Sequence, residues 1–309
     1  MSIVKSFSFP VGDIRGDCFY IKHNSDNFTV IDCYLKDGDG VDCRKDEIID
    51  EIIQNSKGRI CRFISTHPDN DHILGIEELD ARWGITNFYA VKNDIPADFD
   101  DPSLTKYIEL KKDYNYPIKK GIRRKWLNES DDNYGSSGLY FKWPDVTNEK
   151  FKAALDNVSK GGSPNNISCI LTYKIKNSAT YLWMGDLETE MQQEYYNQCK
   201  DNIPHVDILF QPHHGRKSGA VPEDLLSAFD PKLIIIGNAP SDHIDYGDSS
   251  KTITQNSAGD IVFINESKYV DILTQNNIDN VPDVINSDYF EKDFEFGGKL
   301  WYKIGRLFL

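Results

Sequence analysis

Short apolar stretches separated by turn-forming residues open the chain. Residues 3–9, 17–23 and 27–33 are rich in aromatic and β-branched side chains, and Gly, Asp and Asn lie between them. Runs of this length and composition are typical of β-strands joined by short turns. The pattern therefore predicts that the chain begins with an antiparallel meander.

Further along, helical and strand patterns alternate. Apolar residues recur at helical spacing in 45–54, and an apolar run at 59–66 predicts a strand. A second helix is predicted at 71–83, ending at Gly84. The later segments repeat this rhythm, with helices predicted at 148–158, 188–199 and 223–229 and strands at 167–175, 179–185, 206–210 and 232–237. Such alternation predicts an α/β protein in which helices cover the sheets.

Two segments lack a clear period. Residues 93–146 are rich in Asp, Asn, Gly and Pro, and we predict an irregular insertion there. Within it, residues 106–125 carry eight Lys or Arg against two acidic residues, which makes this the one strongly basic part of the chain. The tail at about 268–309 gives mixed signals and is predicted to be a C-terminal extension. The 309 residues are predicted to form a single domain with these two additions.

Charge and composition narrow the range of possible functions. Lys and Arg total 35 against 49 Asp and Glu, and the net charge of −14 repels nucleic acid and anionic membranes. A polyanionic substrate must therefore meet a metal or a local basic patch. The longest apolar runs are far shorter than the ~20 residues of a membrane span, and no secretory leader is evident, so we expect a cytoplasmic protein without a membrane partner. The six Cys are scattered without a Cys-x-x-Cys pair and are expected to be reduced packing residues.

Four side chains that can ligate metals follow one predicted strand. His67, Asp69, Asp71 and His72 lie within six residues after the apolar run at 59–66. Any one of them alone would be read as a turn residue or a helix cap, and Asp71 could cap the following helix. Four together at one strand end favour a metal site, and their arrangement suits two adjacent metals better than one.

Two further strand ends deliver residues of the same type. Asp186 follows the predicted strand 179–185, and His213 and His214 follow the strand 206–210. Each signal is weak by itself, because a Gly-Asp pair is often a turn and adjacent His are often on the surface. In α/β sheets, however, such loops gather at one edge and bind ligands there. The three loops together predict one composite metal site.

The motifs resemble those of the metallo-β-lactamase fold hydrolases. The family pattern Thr-His-x-His-x-Asp-His-x-x-Gly is matched by THPDNDHILG at 66–75, except that Asp69 stands in place of the second His. Within that superfamily the chain looks most like the soluble nuclease-like domain of the DNA-uptake protein ComEC. The shared motifs are RGDCFYI, VIDC, THPDNDH, NNIS, MGDLE and PHHGRKS, in this order between Gly16 and Ser218. The resemblance implies a four-layer αββα sandwich of the metallo-β-lactamase type with two divalent metals.

The resemblance also implies roles for individual residues. His67 and Asp69 would hold one metal, Asp71, His72 and His214 the other, and Asp186 would bridge them. Asp32 would lie behind the ligands and orient them, although a turn Asp at the end of a strand is nearly as good a reading. His213 is expected to have the same orienting role. The residues expected to contact substrate or to donate protons are Asn166 and Ser168, by resemblance, and Lys217, Ser218 and His243, by their position in loops.

Two departures from the family pattern bear on the metals. The segment 161–168 has no counterpart of the His that usually precedes the bridging Asp, and Arg216 stands where the family has Ser after His-His-Gly. The site lacks that imidazole and has a carboxylate at Asp69, so its ligands are rich in oxygen. Such a ligand set shifts the metal preference from zinc toward manganese or magnesium. We expect two divalent cations, with zinc and manganese both open.

The function predicted from these features is metal-dependent hydrolysis. A metal can lower the pKa of bound water to roughly 7, and Asp71 would ligate the metal and orient the resulting hydroxide as the catalytic residue. A phosphodiesterase or nuclease is the first reading, because the basic run Lys119, Lys120, Arg123, Arg124 and Lys125, beside Trp126, could hold a nucleic-acid backbone. A solvated surface is the alternative for that run. Hydrolysis of a carbonyl substrate such as a lactone, β-lactam or thioester, or a non-catalytic module that keeps the fold, remain open as functions.

Overall fold

Two β-sheets and eight α-helices make up the part of the chain that the computed structural model describes, residues 1–9, 16–36, 44–113, 115–245 and 247–309. The strands are β1 (Ser2–Ser6), β2 (Phe19–Lys22), β3 (Asn27–Ile31), β4 (Cys33–Tyr34), β5 (Ile60–Ile64), β6 (Phe88–Val91), β7 (Asn115–Ile118), β8 (Leu139–Trp143), β9 (Ile170–Lys174), β10 (Thr180–Trp183), β11 (Ile208–Phe210), β12 (Leu233–Ile236), β13 (Thr252–Thr254), β14 (Ile261–Glu266), β15 (Tyr269–Thr274), β16 (Ile285–Asn286), β17 (Glu291–Phe296) and β18 (Lys299–Phe308). The helices are α1 (Lys45–Ser56), α2 (Asn70–Ile73), α3 (Ile76–Trp83), α4 (Pro102–Asp113), α5 (Glu149–Ser159), α6 (Thr189–Cys199), α7 (Glu223–Phe229) and α8 (Gln255–Ala258).

The first sheet has the strand order β16-β18-β15-β14-β1-β2-β3-β5-β6-β7, with β17 paired to β18. The pairs β1-β2 and β2-β3 are antiparallel, which confirms the predicted opening meander. From β3 onward the strands β5, β6 and β7 run parallel. The second sheet has the order β13-β12-β11-β10-β9-β8, and its strands β10 to β13 are parallel.

Aromatic side chains fill the space between the two sheets. Phe19 of the first sheet contacts Phe210 of the second edge to face, with ring centres 5.0 Å apart. Trp183 stacks on Phe210 at 4.9 Å, and Phe263 closes the group from the first sheet. These rings are buried and belong to one continuous apolar cluster. Burial of such large side chains is the main source of stability for the sandwich.

Helices cover the outer face of each sheet. On the first sheet, Ile52 of α1, Leu79 of α3 and Tyr107 of α4 share a buried cluster with strand residues such as Phe63 and Phe88. On the second sheet, Phe151 of α5 and Tyr195 of α6 contact Trp143 of β8, and Phe229 of α7 belongs to the same buried cluster. The layers therefore run helix, sheet, sheet, helix, and the predicted four-layer αββα sandwich is confirmed.

Local differences from the predicted elements have physical reasons. The helix predicted at 71–83 is divided into α2 and α3 at Gly75, whose φ of +77° favours glycine. A Cβ atom there would lie 2.6 Å from Leu35 Cβ, so the backbone approach itself requires glycine. Residues 93–146 were expected to be irregular but contain α4, β7 and β8, and the tail contributes β15 to β18, which extend the first sheet.

Two further expectations concern cysteines and membranes. The five cysteines of the described residues are free, and four of them are buried, whereas Cys43 lies outside the described residues. Among the residues that the structure describes, no helix combines the length and apolar character that a membrane crossing requires.

Candidate metal centre

The predicted metal-binding loops meet at the ends of β5, β10 and β11. Asp32, at the end of β3, is placed beside the end of β5, because its backbone N–H donates to Ile64 O at 2.9 Å. The turn carrying Asp186 lies against the His67 loop, and Gly185 makes this approach possible with φ of +51°. A Cβ atom at Gly185 would lie 2.8 Å from Thr66 Oγ1, so any larger residue would push the loops apart.

A chain of hydrogen bonds sets the tautomer of His67. Thr66 Oγ1 donates its only hydrogen to Asp32 Oδ2 at 2.6 Å, so the Thr66 oxygen is left to accept from His67 Nδ1–H at 3.1 Å. With its proton on Nδ1, the ring carries a lone pair on Nε2. That Nε2 atom is buried and has no hydrogen-bond partner among the described residues. An orphaned imidazole nitrogen of this kind is suited to bind a metal.

A carboxylate lies beside the Nδ1 atom of both His72 and His214. His72 Nδ1 lies 2.9 Å from Asp32 Oδ2, and His214 Nδ1 lies 3.3 Å from Asp17 Oδ1. Both Nε2 atoms point to the opposite side, toward the interior of the cluster. A carboxylate behind a histidine that ligates a metal fixes the ring and makes its nitrogen more basic. Asp32 therefore has the position of an orienting group for His72, whereas His214 Nδ1 has no hydrogen-bond partner among the described residues and Asp17 is itself a candidate ligand.

The Nε2 atoms converge on Asp186. His72 Nε2 lies 3.0 Å and His214 Nε2 3.7 Å from Asp186 Oδ1, and His214 Nε2 also lies 3.3 Å from Asp71 Oδ2. Ligand atoms of Asp17, His72, Asp186 and His214 lie within 4.8 Å of one another. His72 Nε2, His214 Nε2 and Asp186 Oδ1 are buried without a hydrogen-bond partner. Nitrogen and carboxylate donors arranged in this way fit a divalent cation.

Burial and charge act in opposite directions on the histidines. Burial, together with the nearby His72, lowers the pKa of His67 to about 3. Burial also disfavours charge on His72, but the negative charges of Asp186 and Asp71 outweigh it and raise the pKa of His72 well above its usual value. For His214, Asp17 and Asp186 outweigh burial and raise the pKa to about 10. A cation bound at the cluster would take the place of these protons.

The carboxylates show the complementary pattern. Burial alone would raise the pKa of Asp186, but His72 and His214 hold it well below its usual value. The pKa of Asp71 is likewise lowered, because His72 and His214 outweigh burial. The pKa of Asp69 is instead raised by burial and by the charge of Asp71. Asp186 and Asp71 are therefore ionised at neutral pH, as metal ligands must be.

The metal-free protein should lose stability as the pH rises above about 6.5. The pKa of His214 rises on folding from about 6.5 to about 10, so its contribution is fully present below 6.5 and disappears as the pH approaches 10. Urea unfolding in the presence of a chelator should show a free energy of unfolding that falls across this window. The His214→Gln variant should fall less steeply. Equal slopes for the two proteins would contradict this account.

Asp69 and Asp71 have different surroundings. Asp69 caps α2, with its side chain accepting from the backbone N–H of Asn70 at 2.8 Å. Its role as a metal ligand stays a prediction, because that oxygen already has a partner. The side chain of Asp71 is 23% exposed, against 3% for Asp186. Asp71 is thus more accessible to solvent and substrate than Asp186.

Several residues assigned to substrate have structural partners. Ser168 is fully buried and its hydroxyl accepts from Asp186 N at 3.1 Å, which places it beneath the turn rather than against substrate. Asn166 Nδ2 donates to Glu188 Oε2 at 2.6 Å. Ser218 Oγ lies 2.9 Å from His213 Nδ1. Ser218 is exposed as a whole, so this contact leaves room for a role with substrate.

The loop after β11 is bounded by a second loop that carries His243. Lys217 N donates to His243 O at 3.3 Å, and Asp245 N donates to Gly215 O at 2.8 Å. His243 is half-exposed, and its Nδ1 lies 2.8 Å from Arg216 Nη2. The tertiary structure thus brings the loops that carry Lys217 and His243 together. Their contact with substrate stays a prediction.

The basic run is only partly available for nucleic acid. Arg123 and Lys125 are exposed, at 84% and 71% of their side chains. Arg124 instead lies over the ring of Tyr116, 2.9 Å from its centre. Trp126 is half-buried and packs edge to face on Tyr134, so it does not present an open face for a base. Lys119, Lys120 and Lys125 are exposed, although Lys120 Nζ donates to Cys199 Sγ at 3.4 Å and Lys125 Nζ lies 3.9 Å from Asp131 Oδ2. Their contact with nucleic acid stays a prediction.

Asp17 is a site residue to which the sequence analysis assigned no role. It precedes β2, whose start lies beside the end of β3 because the two strands are antiparallel. The RGDCFYI motif contained the signal, since a carboxylate directly before an apolar strand can lie at the same sheet edge as one directly after the neighbouring strand. Asp17 was not predicted because the sequence analysis considered only residues that follow strands.

Comparison with known proteins finds similarity of fold. The chain is similar to CmlA, a diiron β-hydroxylase from Streptomyces venezuelae, with 11% identity, a TM-score of 0.45, and coverage of 80% of this chain and 48% of that one. It is also similar to a long-form RNase Z from yeast, with 8% identity, a TM-score of 0.47, and coverage of 91% and 50%. Both have the metallo-β-lactamase fold, and the chain spans about half of each. No protein-family model and no curated protein matches the chain.

Proposed function

We propose that this protein is a metal-dependent hydrolase of phosphodiesters. The observation that carries the proposal is the convergence of buried, unpartnered imidazole nitrogens on one carboxylate. His67 Nε2, His72 Nε2 and His214 Nε2 have no hydrogen-bond partner among the described residues, and the last two face Asp186. Burying polar atoms without partners costs free energy, so such an arrangement is retained where a ligand satisfies it. A divalent cation is the ligand that this donor set fits.

The residues of the chain have distinct tasks in this proposal. Divalent cations bound here would supply Lewis acidity and lower the pKa of a water molecule toward neutrality. His72, His214 and Asp186 would hold the cations, with Asp17 as a further candidate ligand, while Asp32 keeps the His72 ring in the required tautomer. Asp71, the most exposed carboxylate among them, can accept a hydrogen bond from the attacking water and so orient it.

An anionic substrate is favoured by lysines along the same sheet edge. Because β5, β6 and β7 are parallel, their carboxyl ends lie side by side, roughly 4.8 Å apart per strand. Lys92 directly follows β6, and Lys119 directly follows β7. Both are exposed. They would form a row that leads away from the end of β5, where the metal cluster begins, and could hold successive phosphates of an extended substrate.

The choice of substrate can be tested with a panel of phosphodiesters. Purified protein loaded with manganese or zinc would be assayed on bis(p-nitrophenyl) phosphate, single- and double-stranded DNA, RNA and cyclic dinucleotides. p-Nitrophenyl acetate, a lactone and a β-lactam would serve as carbonyl substrates. We expect cleavage of at least one phosphodiester. Turnover of carbonyl substrates alone would assign the second function, and a metal-loaded protein inert on the whole panel would support a non-catalytic module.

The lysine row gives a separate prediction. The double variant Lys92→Gln/Lys119→Gln should raise KM for a nucleic-acid substrate about fivefold or more and should reduce the dependence of KM on salt, because each lost phosphate contact lowers the number of released counterions. Hydrolysis of bis(p-nitrophenyl) phosphate should be unchanged. The matched control is Lys150→Gln/Lys152→Gln, two exposed lysines of α5. Equal effects of the two double variants would refute a role of the row.

A further inference from the structure

We propose that His213 is a metal ligand through Nε2, on the side of Asp186 that faces away from His72 and His214. Together with His67 it would complete the site that lacks the imidazole expected ahead of Asp186. The inference rests on the proposed metal centre, but it does not depend on which substrate is hydrolysed. Sequence analysis placed His213 behind the ligands, as an orienting residue.

The two oxygens of Asp186 face different histidines. Oδ1 lies 3.0 Å from His72 Nε2 and 3.7 Å from His214 Nε2, whereas Oδ2 lies 3.6 Å from His213 Nε2. A carboxylate that presents one oxygen to each of two groups of donors has the arrangement of a bridging ligand. The His213 side chain is only 10% exposed, so its ring is directed into the cluster and not into solvent.

The surroundings of His213 orient its ring as Asp32 orients His72. Ser218 Oγ lies 2.9 Å from His213 Nδ1, and if it accepts the Nδ1 proton then Nε2 carries the lone pair. The backbone N–H of His213 also donates to Gly185 O at 2.9 Å, which ties the His213 loop to the Asp186 turn. A residue held by its backbone, by its Nδ1 atom and by close packing has little freedom to leave the carboxylate.

The backbone of this loop is held in a conformation that needs a compensating interaction. His213 and His214 both have φ of +52°, in the left-handed region that residues other than glycine seldom adopt. Such conformations are unfavourable and occur mainly at functional sites. Two successive left-handed histidines direct both rings to the cluster, one toward each oxygen of Asp186.

None of the histidines outside the predicted ligand set could replace His213 as the additional metal ligand. All seven lie in the described residues. His23 lies beside Thr29 and Tyr173, and His205 is exposed beside Asp207. His243 is turned toward Arg216. His213 is therefore the one imidazole outside the predicted ligand set whose ring nitrogen approaches Asp186.

Metal stoichiometry distinguishes a ligand from an orienting residue. The full chain would be titrated with manganese, with bound metal measured by elemental analysis and the spin state of the site by electron paramagnetic resonance. We expect the parent protein to bind two cations with exchange-coupled spectra. His213→Gln should bind one cation and give an uncoupled six-line spectrum. The matched control His205→Gln should behave as the parent protein.

A second variant separates metal loss from misfolding. Ser218→Ala leaves the imidazole in place and should weaken the binding of one cation about 10-fold, the range found when an orienting partner of a ligand is removed. The cation retained by His213→Gln reports that the rest of the site is folded. If His213→Gln binds two cations with parental affinities, or if the parent protein binds only one, His213 is not a ligand. A protein that binds two cations but hydrolyses no substrate would overturn the proposed function and leave the assignment of His213 intact.

Discussion

Replacing Asp186 with alanine is expected to abolish hydrolysis and to remove bound metal at the same time. Asp186 is the only residue of the described chain that approaches His72, His213 and His214 together, at 3.0, 3.6 and 3.7 Å. Its loss would remove the carboxylate that these three imidazoles share and would separate the two groups of donors. Since removal of a group that merely orients a ligand costs 10–100-fold in affinity, removal of the shared ligand should exceed about 100-fold.

The measurement is kcat/KM on a cleavable phosphodiester together with metal content after dialysis. The matched control is Asp230→Asn, which changes the same functional group at an exposed position where the left-handed backbone, with φ of 47°, accepts asparagine. The control should retain metal and activity. If Asp186→Ala loses activity but keeps two cations with parental affinity, Asp186 does not bridge them, and the geometry of the centre would have to be revised.

Asp32→Ala should be the most destabilising single substitution near the site. Asp32 is fully buried and accepts from Thr66 N at 2.7 Å, from Thr66 Oγ1 at 2.6 Å and from His72 Nδ1 at 2.9 Å. Alanine would leave these three buried donors unpaired, and each orphaned donor costs about 1–3 kcal/mol. Part of the loss is offset because burial disfavours the Asp32 charge and raises its pKa. We expect a decrease of about 3–5 kcal/mol in the free energy of unfolding.

Urea unfolding of Asp32→Ala, Thr66→Val and the double variant would test this network. Because Asp32 and Thr66 share two hydrogen bonds, the double variant should lose less than the sum of the single variants, by at least about 1 kcal/mol. Asp32→Asn keeps the shape and tolerates the φ of 54° at this position. It should lose less stability than alanine and yet weaken metal binding 10–100-fold, because an amide cannot hold the tautomer of His72 as a carboxylate does. Additive effects would show that the network is not coupled.

The parts of the site that could be predicted are those that follow the ends of strands. His67, His72, Asp186 and His214 each follow an apolar strand, and parallel strands bring such loops to one edge of a sheet. Asp17 was not predicted as a site residue because it precedes its strand. Antiparallel pairing of β2 with β3 brings the start of one strand to the end of the other, and the pairing is a property of the fold rather than of the local pattern.

The roles of neighbouring residues were less predictable than their positions. Ser168 and Ser218 both follow loops near the site, yet Ser168 lies beneath the Asp186 backbone and Ser218 lies beside His213. In the basic run, Arg124 is engaged with Tyr116 while Arg123 is exposed. Adjacent residues in a sequence share their composition signals. Which of them points inward depends on packing against distant segments.

The sequence by itself determined the elements and the chemistry of the donors, because hydrophobic period is local and because imidazole and carboxylate groups suit divalent cations wherever they lie. Only the tertiary structure decided which donors share a carboxylate and which stand behind another residue. The 3.6 Å approach of His213 to Asp186 joins residues on separate strands of one sheet, and the 3.3 Å approach of His214 to Asp17 joins the two sheets. The first distance follows from the pairing of neighbouring strands and the second from how the sheets pack on each other, and no local pattern encodes either.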